Sequence, residues 1–461
     1  MTLDSLLSKI DRFLWSSPLL ILILGTGILL TVRTRAVQLK HLGKALKFAL
    51  ESKSGAKGEV SSFGALCTAL SATIGTGNII GVATAVAGGG PGALLWMLVA
   101  AFFGMATKYA EGLLAIKYRT VDKNGHTLGG PFYYIERGLT EVCGWKKSRL
   151  LGKLFALFGL LAGVLGIGTV TQINGITSAT DRLFGSKAAT ACGWAVTLFA
   201  ALVILGGVKR IAKVSEIVVP FMAGAYLLFA VTILCLNANK IPEAVHLMLI
   251  GAFNVKALGG AMVGITLKEV VQMGIARGVF SNEAGLGSAP IAAAAAQTDS
   301  CVQQGLVTMV GTFIDTVIIC TMTGLTIIIT GAWTQPLEGF DITAFAWQSG
   351  LPFGKTASVT VLSLCLIFFA FTTILGWNYY AERCFEYLMG NKKGLLWFRI
   401  IYIAAVAVGP YLTVSAVWTA ANIFNGLMAL PNLIALVLLS GVVERETKKY
   451  FSKQPKITEI T

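Results

Sequence analysis

The sequence predicts an all-α polytopic membrane protein with about eleven transmembrane helices. Three observations carry this prediction: the composition, the length of the apolar segments and the distribution of basic residues. Of the 461 residues, 55% are hydrophobic, 13% are charged and 52 are glycine, which lies outside the range of soluble globular proteins. The apolar segments run for about 18 to 25 residues, enough to cross a ~30 Å hydrocarbon core as a helix. They do not show the weak ten-residue alternation of an outer-membrane β-barrel.

Eleven apolar segments are predicted to span the membrane. They cover residues 17–32, 61–87, 92–116, 154–181, 189–206, 215–236, 266–297, 305–331, 357–380, 395–412 and 419–442. One alternate set of the segments outside these spans, counted with the C-terminal tail and with Arg399, holds 27 Lys and Arg, and the opposite set, counted with the N-terminal segment, holds 7. Because basic loops stay in the cytoplasm, we predict a bacterial inner-membrane protein with its N-terminus outside and its C-terminus inside. The net charge of +15 is then a topology signal and not a nucleic-acid surface.

Two of the predicted spans are interrupted by glycines and polar residues. Residues 71–81 read SATIGTGNIIG, and residues 280–290 read FSNEAGLGSAP. If the first span is set aside, these are the first and sixth of ten helices, as in two five-helix repeats of opposite orientation. The expected organisation has four parts. They are an extra N-terminal helix with a cytoplasmic basic loop over 1–60, a first repeat over 61–236, an inverted second repeat over 237–443, and a cytoplasmic tail over 444–461.

The two interruptions predict a binding site. A broken helix in lipid leaves N–H and C=O groups unpaired, which is tolerable only where the backbone lines a polar cavity. The N-termini of half-helices offer N–H donors to a carboxylate, and loosened carbonyls can ligate a cation. One site is therefore expected to hold an amino acid and an ion. The alternative is that the small residues only allow close helix packing. The substrate candidates within the breaks are Gly75, Thr76, Gly77, Asn78, Phe280, Ser281 and Asn282.

A cation site is predicted beside the first break. Thr372 and Thr373 follow Phe369 by three and four residues, so their hydroxyls share a helix face with its carbonyl. Carbonyls of Ser71 and Ile74 would raise the set to about five neutral oxygens, which suits a hard monovalent cation. The alternative is that both hydroxyls bond back to the preceding helical turn.

Carboxylates within the spans are functional candidates because ionisable groups at that depth are rare. Asp315 is predicted to ligate a second cation or to hold the substrate ammonium, the alternative being a structural pair with a buried donor. Glu283 is expected either to brace the second break or to take part in the site. Lys108 and Glu111 are three residues apart and are predicted to form an ordinary helix pair.

Three further side chains are predicted to shape the pocket. Gln172 can offer a donor and an acceptor to a bound amino acid, or it can bond a neighbouring helix. Trp377 and Phe280 are expected to wall the site and to leave room only for a short side chain. The alternative for both aromatic rings is packing in the core or against lipid.

Five runs of the sequence resemble the alanine or glycine:cation symporter family. They are 65–81 (ALCTALSATIGTGNIIG), 96–119 with FFGMATKYAEG, 129–139 (GGPFYYIERGL), 278–290 (GVFSNEAGLGSAP) and 427–435 (LMALPNLIA). The resemblance covers essentially the whole chain. It implies a leucine-transporter-like fold with one extra N-terminal helix, sodium coupling, and alanine or glycine as substrate.

The resemblance also implies roles for single residues. It implies that Gly75, Thr76, Gly77 and Asn78 contact the substrate carboxylate. It also implies that Phe280 and Ser281 contact the substrate amine. At a sodium ion it places Ser71, Ile74, Phe369, Thr372 and Thr373. Asp315 falls near a second ion position of related folds, with a spacing that is not identical.

Three alternative functions can be compared with sodium-coupled amino-acid transport. Proton coupling would use Asp315 or Glu283 as the carrier. A membrane enzyme would need clustered His, Cys or carboxylates at a shared depth, and the acids here are scattered. A passive channel would need neither two occluding broken helices nor aromatic walls. We expect no cofactor other than the co-transported ion, no nucleic acid and no obligate protein partner. The choice between alanine and glycine stays open.

Overall fold

A computed structural model describes residues 3–51, 56–121, 126–254, 265–411 and 414–452, and these are almost entirely helical. The chain begins with α1 (Leu3–Leu14), α2 (Ser17–Arg33), α3 (Val37–Lys40) and α4 (Leu42–Leu50). The next part contains α5 (Ser62–Thr73), a π-helical turn (Gly77–Gly81), α6 (Val82–Gly89), α7 (Gly92–Lys117), α8 (Pro131–Tyr133), a π-helical turn (Tyr134–Gly138), α9 (Leu139–Cys143), α10 (Ser148–Leu165), α11 (Val170–Phe184), α12 (Ser186–Ile204) and α13 (Gly207–Leu236). Two short strands, β1 (Thr120–Val121) and β2 (Thr127–Leu128), pair antiparallel.

The second half repeats this pattern of long helices with short connections. It contains a 3₁₀ turn (Ala238–Lys240), α14 (Ile241–Phe253), α15 (Leu267–Asn282), α16 (Ala289–Ala294), α17 (Cys301–Thr312), a π-helix (Phe313–Cys320), α18 (Thr321–Ile329), a 3₁₀ turn (Ala332–Thr334), α19 (Phe340–Gly350), α20 (Lys355–Met389), α21 (Leu395–Val408), a 3₁₀ turn (Gly409–Tyr411) and α22 (Val414–Ser452). α7 packs chiefly against α15 and α17, whereas α10 packs against α20 and α22.

The helical fold with long apolar spans is the predicted one. In the described part of the chain, eight helical segments are long and apolar enough to cross a membrane. The count is nine if Ser62–Thr73 and Gly77–Gly89, which meet at a bend of 53°, form one span. Two predicted spans fall short of this criterion. One is broken between Asn282 and Ala289, and the other, Leu395–Tyr411, is a shorter apolar helix. The number eleven therefore stays a prediction.

The span predicted over 154–181 lies within Ser148–Phe184, one of the eight segments, but this segment contains an interruption that the sequence analysis did not predict. α10 ends at Leu165 and α11 begins at Val170. The signal that sequence reasoning missed is the pair Gly166 and Gly168, which resembles the glycines of the first break. The Ile167 carbonyl in this interruption accepts a hydrogen bond from Gln172 Nε2 at 3.0 Å, which replaces its lost helical partner.

The two broken helices run in opposite directions. The chain just before α5 lies beside the chain just after α16, where Val60 and Ala296 form a parallel bridge. Gln297 N–H donates to the Val60 carbonyl at 2.8 Å. Arg119 holds the same junction, since its Nη1 donates to the Ala296 carbonyl at 2.7 Å. The first broken helix therefore begins where the second one ends, which supports inverted repeats. Their exact boundaries stay a prediction.

The C-terminal helix extends beyond the last predicted span. α22 continues to Ser452, so residues 444–452 of the expected tail are helical. Residues 453–461 lie outside the described residues. At its other end α22 packs against α1, the amphipathic helix that precedes α2.

Candidate functional site

The first break leaves backbone N–H groups without helical partners, and side-chain oxygens accept hydrogen bonds from them. α5 ends at Thr73, and Ile74 turns to an extended conformation. Gly75 N–H donates to Asn78 Oδ1 at 2.9 Å, and Thr76 N–H donates to Gln172 Oε1 at 3.3 Å. Both acceptors are neutral oxygens, which a carboxylate oxygen could replace. The Thr76 hydroxyl is fully buried and has no hydrogen-bond partner, so it is available to a ligand.

The second break requires left-handed backbone at three positions. Glu283 has φ 57°, Gly285 has φ 86° and Gly287 has φ 81°, and glycine adopts this region without strain. Glu283 is held there by its side chain. Its Oε1 accepts from Trp377 Nε1 at 2.9 Å, and its Oε2 accepts from the Ser288 hydroxyl. Glu283 therefore braces the break, which is one of the two roles that the sequence left open.

Asp315 joins both breaks within a π-helix. Its Oδ1 accepts from Asn78 Nδ2 at 2.7 Å. Its Oδ2 accepts from Ser281 Oγ at 2.9 Å and from Thr316 Oγ1 at 2.7 Å. The carboxylate is fully buried, and these three donors are neutral. The arrangement can therefore attract a cation or a substrate ammonium.

Asn282 supports this centre and does not point freely into it. Its Nδ2 donates to Thr316 Oγ1 at 3.0 Å, and its Oδ1 accepts from Ala284 N–H at 2.9 Å. Thr316 was absent from the sequence candidates, although it is the residue after Asp315. Its hydroxyl links Asn282 to Asp315.

The predicted cation ligands converge at the other side of the first break. Thr373 Oγ1 lies 3.2 Å from the Ile74 carbonyl oxygen and 3.0 Å from the Phe369 carbonyl oxygen. Thr372 Oγ1 lies 2.9 Å from the Phe369 carbonyl oxygen. Four of the predicted oxygens thus lie together, while Asp315 belongs to the separate group around Asn78. The two hydroxyls also make the bonds to the preceding turn that the alternative requires.

Ser71 lies close to this group through the packing of α5 on α20. Its hydroxyl donates to the Thr68 carbonyl at 2.8 Å. A Cβ placed on Gly376 would lie 2.7 Å from Ser71 Oγ and 2.7 Å from the Ala72 nitrogen. Glycine at position 376 therefore permits the close approach of the two helices that carry the predicted ligands.

Two cavities approach the site from opposite ends, and none of the residues around Asp315 or Thr373 lines either one. The first, called the α1-side cavity, measures about 750 Å³ and is lined by residues that include Trp15, Arg277, Phe280 and Asn422. The second, the α4-side cavity, measures about 670 Å³ and lies beside Glu59 and Glu216. Asp315 and Thr373 themselves are 0% and 1% exposed.

Phe280 separates the α1-side cavity from the first break. The residue is 4% exposed, and its ring packs on Trp418 with centroids 6.0 Å apart. Its Cδ1 would lie 3.7 Å from a Cβ placed on Gly77. This position agrees with the predicted wall. The indole N–H of Trp377 is instead committed to Glu283, so its role as a wall stays a prediction.

Lys108 and Glu111 interact electrostatically, as their spacing predicts, although no ion pair within 4.0 Å joins them among the described residues. Glu111 Oε1 accepts from Asn432 Nδ2 at 2.7 Å and from Gly287 N–H at 3.2 Å. Asn432 also donates to the Gly285 carbonyl at 2.9 Å. Glu111 and Asn432 thus satisfy backbone groups that the second break leaves unpaired. Sequence reasoning missed Asn432, which lies within the 427–435 run but 321 residues from Glu111 along the chain.

Residues 1–460 match the profile of the sodium:alanine symporter family. The chain belongs to this family. It is 53% identical to an uncharacterised transporter of Haemophilus influenzae over 98% of this chain and 97% of the relative. It is 47% identical to the sodium/alanine symporter AgcS of Methanococcus maripaludis, over 97% of each chain.

Solved structures support the fold. The crystal structure of MhsT in complex with L-phenylalanine superposes with a TM-score of 0.57 at 13% identity, over 86% of this chain and 99% of that one. Mhp1, a nucleobase-cation-symport-1 family transporter, superposes with a TM-score of 0.51 at 10% identity, over 88% and 98% of the two chains. The predicted leucine-transporter-like fold is confirmed. The family membership confirms a multi-pass membrane symporter and not an enzyme.

Proposed function

We propose that this symporter imports a small neutral amino acid, alanine or glycine, together with Na⁺, across a bacterial inner membrane. The name of the AgcS relative supports both sodium and alanine. The observation that carries the proposal lies at the first break. Thr373 Oγ1 is within hydrogen-bond distance of the Ile74 carbonyl there, while Asn78 of the same break reaches Asp315. An ion on one side and a substrate on the other would therefore share one segment of backbone.

The substrate carboxylate is proposed to bind at Gly75, Thr76, Gly77 and Asn78. Its oxygens would take the places of Asn78 Oδ1 and Gln172 Oε1 as acceptors and would meet the Thr76 hydroxyl. The ammonium group would lie toward Ser281 and Asp315, whose carboxylate attracts positive charge. With both charged ends held, the side chain faces the remaining wall, where Phe280 leaves room for a short group.

The sodium ion is proposed to bind among Ile74, Phe369, Thr372 and Thr373, with the Ser71 carbonyl as a further ligand. Hydroxyl hydrogens rotate freely, so the same oxygens that now face carbonyls can turn their lone pairs to an ion. These ligands come from α5 and α20. Sodium binding would therefore hold the first break against α20, in the arrangement that also binds the substrate, and this is the proposed basis of coupling.

Alternating access requires that each cavity open to the site in turn. We propose that the α1-side cavity faces the outside, as the predicted topology with an external N-terminus requires. Phe280 would then close the outer route. The α4-side cavity would face the cytoplasm, where Arg383 Nη2 contacts both Glu59 carboxylate oxygens at 3.3 Å beside the junction of the two broken helices.

Proton coupling is the second candidate, because Asp315 is a buried carboxylate bound only by neutral side chains. A proton could neutralise it in place of a cation. Purified protein in proteoliposomes separates the two. Labelled alanine and glycine uptake is measured with an imposed gradient of sodium, lithium, potassium or protons in turn. Uptake driven by sodium alone supports the proposal, and uptake driven by the proton gradient without sodium contradicts it.

A further inference from the structure

A second group of buried ionisable residues lies behind the second break, outside the proposed binding site. Lys108 and Glu111 come from α7, Glu283 from the break and Tyr380 from α20. Their exposed fractions are 2%, 0%, 0% and 1%. Charges at such depth in a membrane protein are expensive and need compensation.

The hydrogen bonds within this group are incomplete. Both oxygens of Glu283 accept hydrogen bonds, from Trp377 and Ser288. Glu111 uses only Oε1, and its Oε2 is buried without a partner, as is the Tyr380 hydroxyl. Among the described residues, no ion pair within 4.0 Å involves Lys108. Two polar atoms of one region, Glu111 Oε2 and the Tyr380 hydroxyl, thus remain open to an additional occupant.

The charges of this region do not balance. Lys108 interacts electrostatically with Glu111, Glu283 and Asp315. The Tyr380 hydroxyl faces the fields of Glu283 and Glu111, and Tyr134 faces that of Glu111. One ammonium group therefore stands against three carboxylates. A cargo cation or the substrate ammonium at Asp315 would neutralise one further charge, which leaves one negative charge shared by Glu111 and Glu283.

A proton is the occupant that fits this remaining charge. Among the described residues, no group of three or more His, Cys, Asp or Glu side chains could hold a metal ion. A proton needs only one carboxylate oxygen, and Glu111 Oε2 is unpartnered. The Tyr380 hydroxyl, which interacts electrostatically with both Glu283 and Glu111, has both donor and acceptor capacity.

We propose that Glu111 and Glu283 share one exchangeable proton, with Lys108 as a permanent counter-charge, and that this proton controls the second break. Hydrogen bonds to a carboxylate are stronger than those to a neutral acid. When the proton joins Glu111, the bonds from Gly287 N–H and Asn432 to Oε1 weaken and the break loosens. When it leaves to water, the break is held again. The link to transport rests on the proposed function, because the same break carries Phe280 and Ser281.

Infrared spectroscopy of the purified protein tests the proton directly and does not depend on transport. A protonated carboxylic acid has its own carbonyl-stretch band. This band is followed between about pH 5 and about pH 9, above the range near about pH 4 in which ordinary Asp and Glu side chains titrate. We expect one band that disappears as the pH rises. Glu111→Gln and Glu283→Gln are each expected to remove or shift this band, whereas Asp315→Asn leaves a titrating band in place.

Lys108→Met tests the direction in which the positive charge of Lys108 shifts the pH at which the band disappears. Without the positive charge the proton is harder to remove, so the band is expected to persist to a pH about one unit higher or more. The matched control is Lys117→Met on the same helix, where the lysine pairs with Glu446 at 2.7 Å near the surface. It is expected to leave the titration unchanged. If single variants do not fold, Lys108→Met/Glu111→Gln removes one charge of each sign and is expected to keep one titrating band, now on Glu283 alone.

Two results would overturn the proposal. One is a wild-type protein without a titrating carboxylic-acid band in this range. The other is a band that is identical in Glu111→Gln, Glu283→Gln and wild type. Sodium-driven alanine uptake measured over the same pH range is expected to lose its pH dependence in Glu111→Gln. If wild-type protein shows the titrating band but no sodium-driven uptake, the proposed function fails and the proton site stands.

Discussion

Trp377 Nε1 donates to Glu283 Oε1 at 2.9 Å, and this bond ties α20 to the second break. Both residues are fully buried, and Glu283 has left-handed backbone that few residues other than glycine adopt. The bond therefore holds a backbone conformation that is not stable by itself, at the point where Phe280 and Ser281 enter the site.

Replacing Trp377 with Phe is expected to lower stability, because the N–H donor is lost together with the pyrrole part of the indole ring, while one aromatic ring remains. A buried acceptor that loses its partner costs about 1 to 3 kcal/mol. Thermal unfolding in detergent is the measurement, and the midpoint should fall. Trp194→Phe is the control, since Trp194 is 56% exposed on α12. Equal midpoints for the two variants would show that the bond does not hold the break.

Glycines 75 and 77 are expected to differ in their tolerance of alanine. A Cβ placed on Gly75 would lie 2.6 Å from Thr373 Oγ1 and 3.1 Å from Gln172 Oε1, whereas one on Gly77 would have its nearest neighbour, the Ser281 Cα, at 3.5 Å. Gly75→Ala should therefore abolish alanine uptake, and Gly77→Ala should keep most of it. Gly77→Val should lose substrate binding because its branched side chain crowds the backbone.

Binding of labelled alanine to each purified glycine variant checks this order, with correct membrane insertion shown alongside. Wild-type binding by Gly75→Ala or by Gly77→Val would mean that the first break does not bind the carboxylate.

The two breaks could be predicted from the sequence because glycines and polar residues are conspicuous within apolar spans. The convergence of Thr373 with Phe369 also followed from helix periodicity. That of Thr373 with Ile74 required the tertiary fold, since 299 residues separate them. The hydrogen bond of Glu111 to Asn432 could not be predicted either, since 321 residues separate the two. A spacing of three residues suggested a simple pair of Lys108 with Glu111, and the two do interact electrostatically. It could not show that the break also offers Glu111 an unpaired backbone N–H at Gly287.

Thr372→Val and Thr373→Val should raise the sodium concentration that gives half-maximal uptake, by about tenfold if each hydroxyl contributes ~1.4 kcal/mol. Valine keeps the shape and removes the oxygen. The effect of Thr373→Val is expected to be larger because its hydroxyl also reaches the Ile74 carbonyl. Sodium titration of alanine uptake is the measurement. Thr360→Val on the exposed side of the same helix, where the hydroxyl bonds only the preceding turn, is the control. An unchanged half-saturation in both Thr372 and Thr373 variants would remove these residues from the sodium site.

Phe280→Ala is expected to admit larger amino acids, with some loss of alanine affinity. The ring forms the partition between the α1-side cavity and Gly77, so its removal joins part of that space to the pocket. One methylene changes binding in an apolar pocket by only about 1 to 3 kcal/mol, so leucine must be excluded by steric overlap and not by weak attraction. Removing the overlap should alter selectivity more than sodium dependence, because the proposed sodium ligands come from α5, α20 and the chain around Ile74.

Competition of labelled alanine uptake by unlabelled amino acids of increasing size measures the change in Phe280→Ala. The control is Phe221→Ala, since Phe221 is 65% exposed on α13 and contacts Phe368 at 6.3 Å between ring centroids, away from both breaks. Leucine should compete in the Phe280 variant alone. If the ranking of competitors in that variant matches wild type, Phe280 does not wall the pocket, and the selectivity must come from another side of the site, where Trp377 is the next residue to replace.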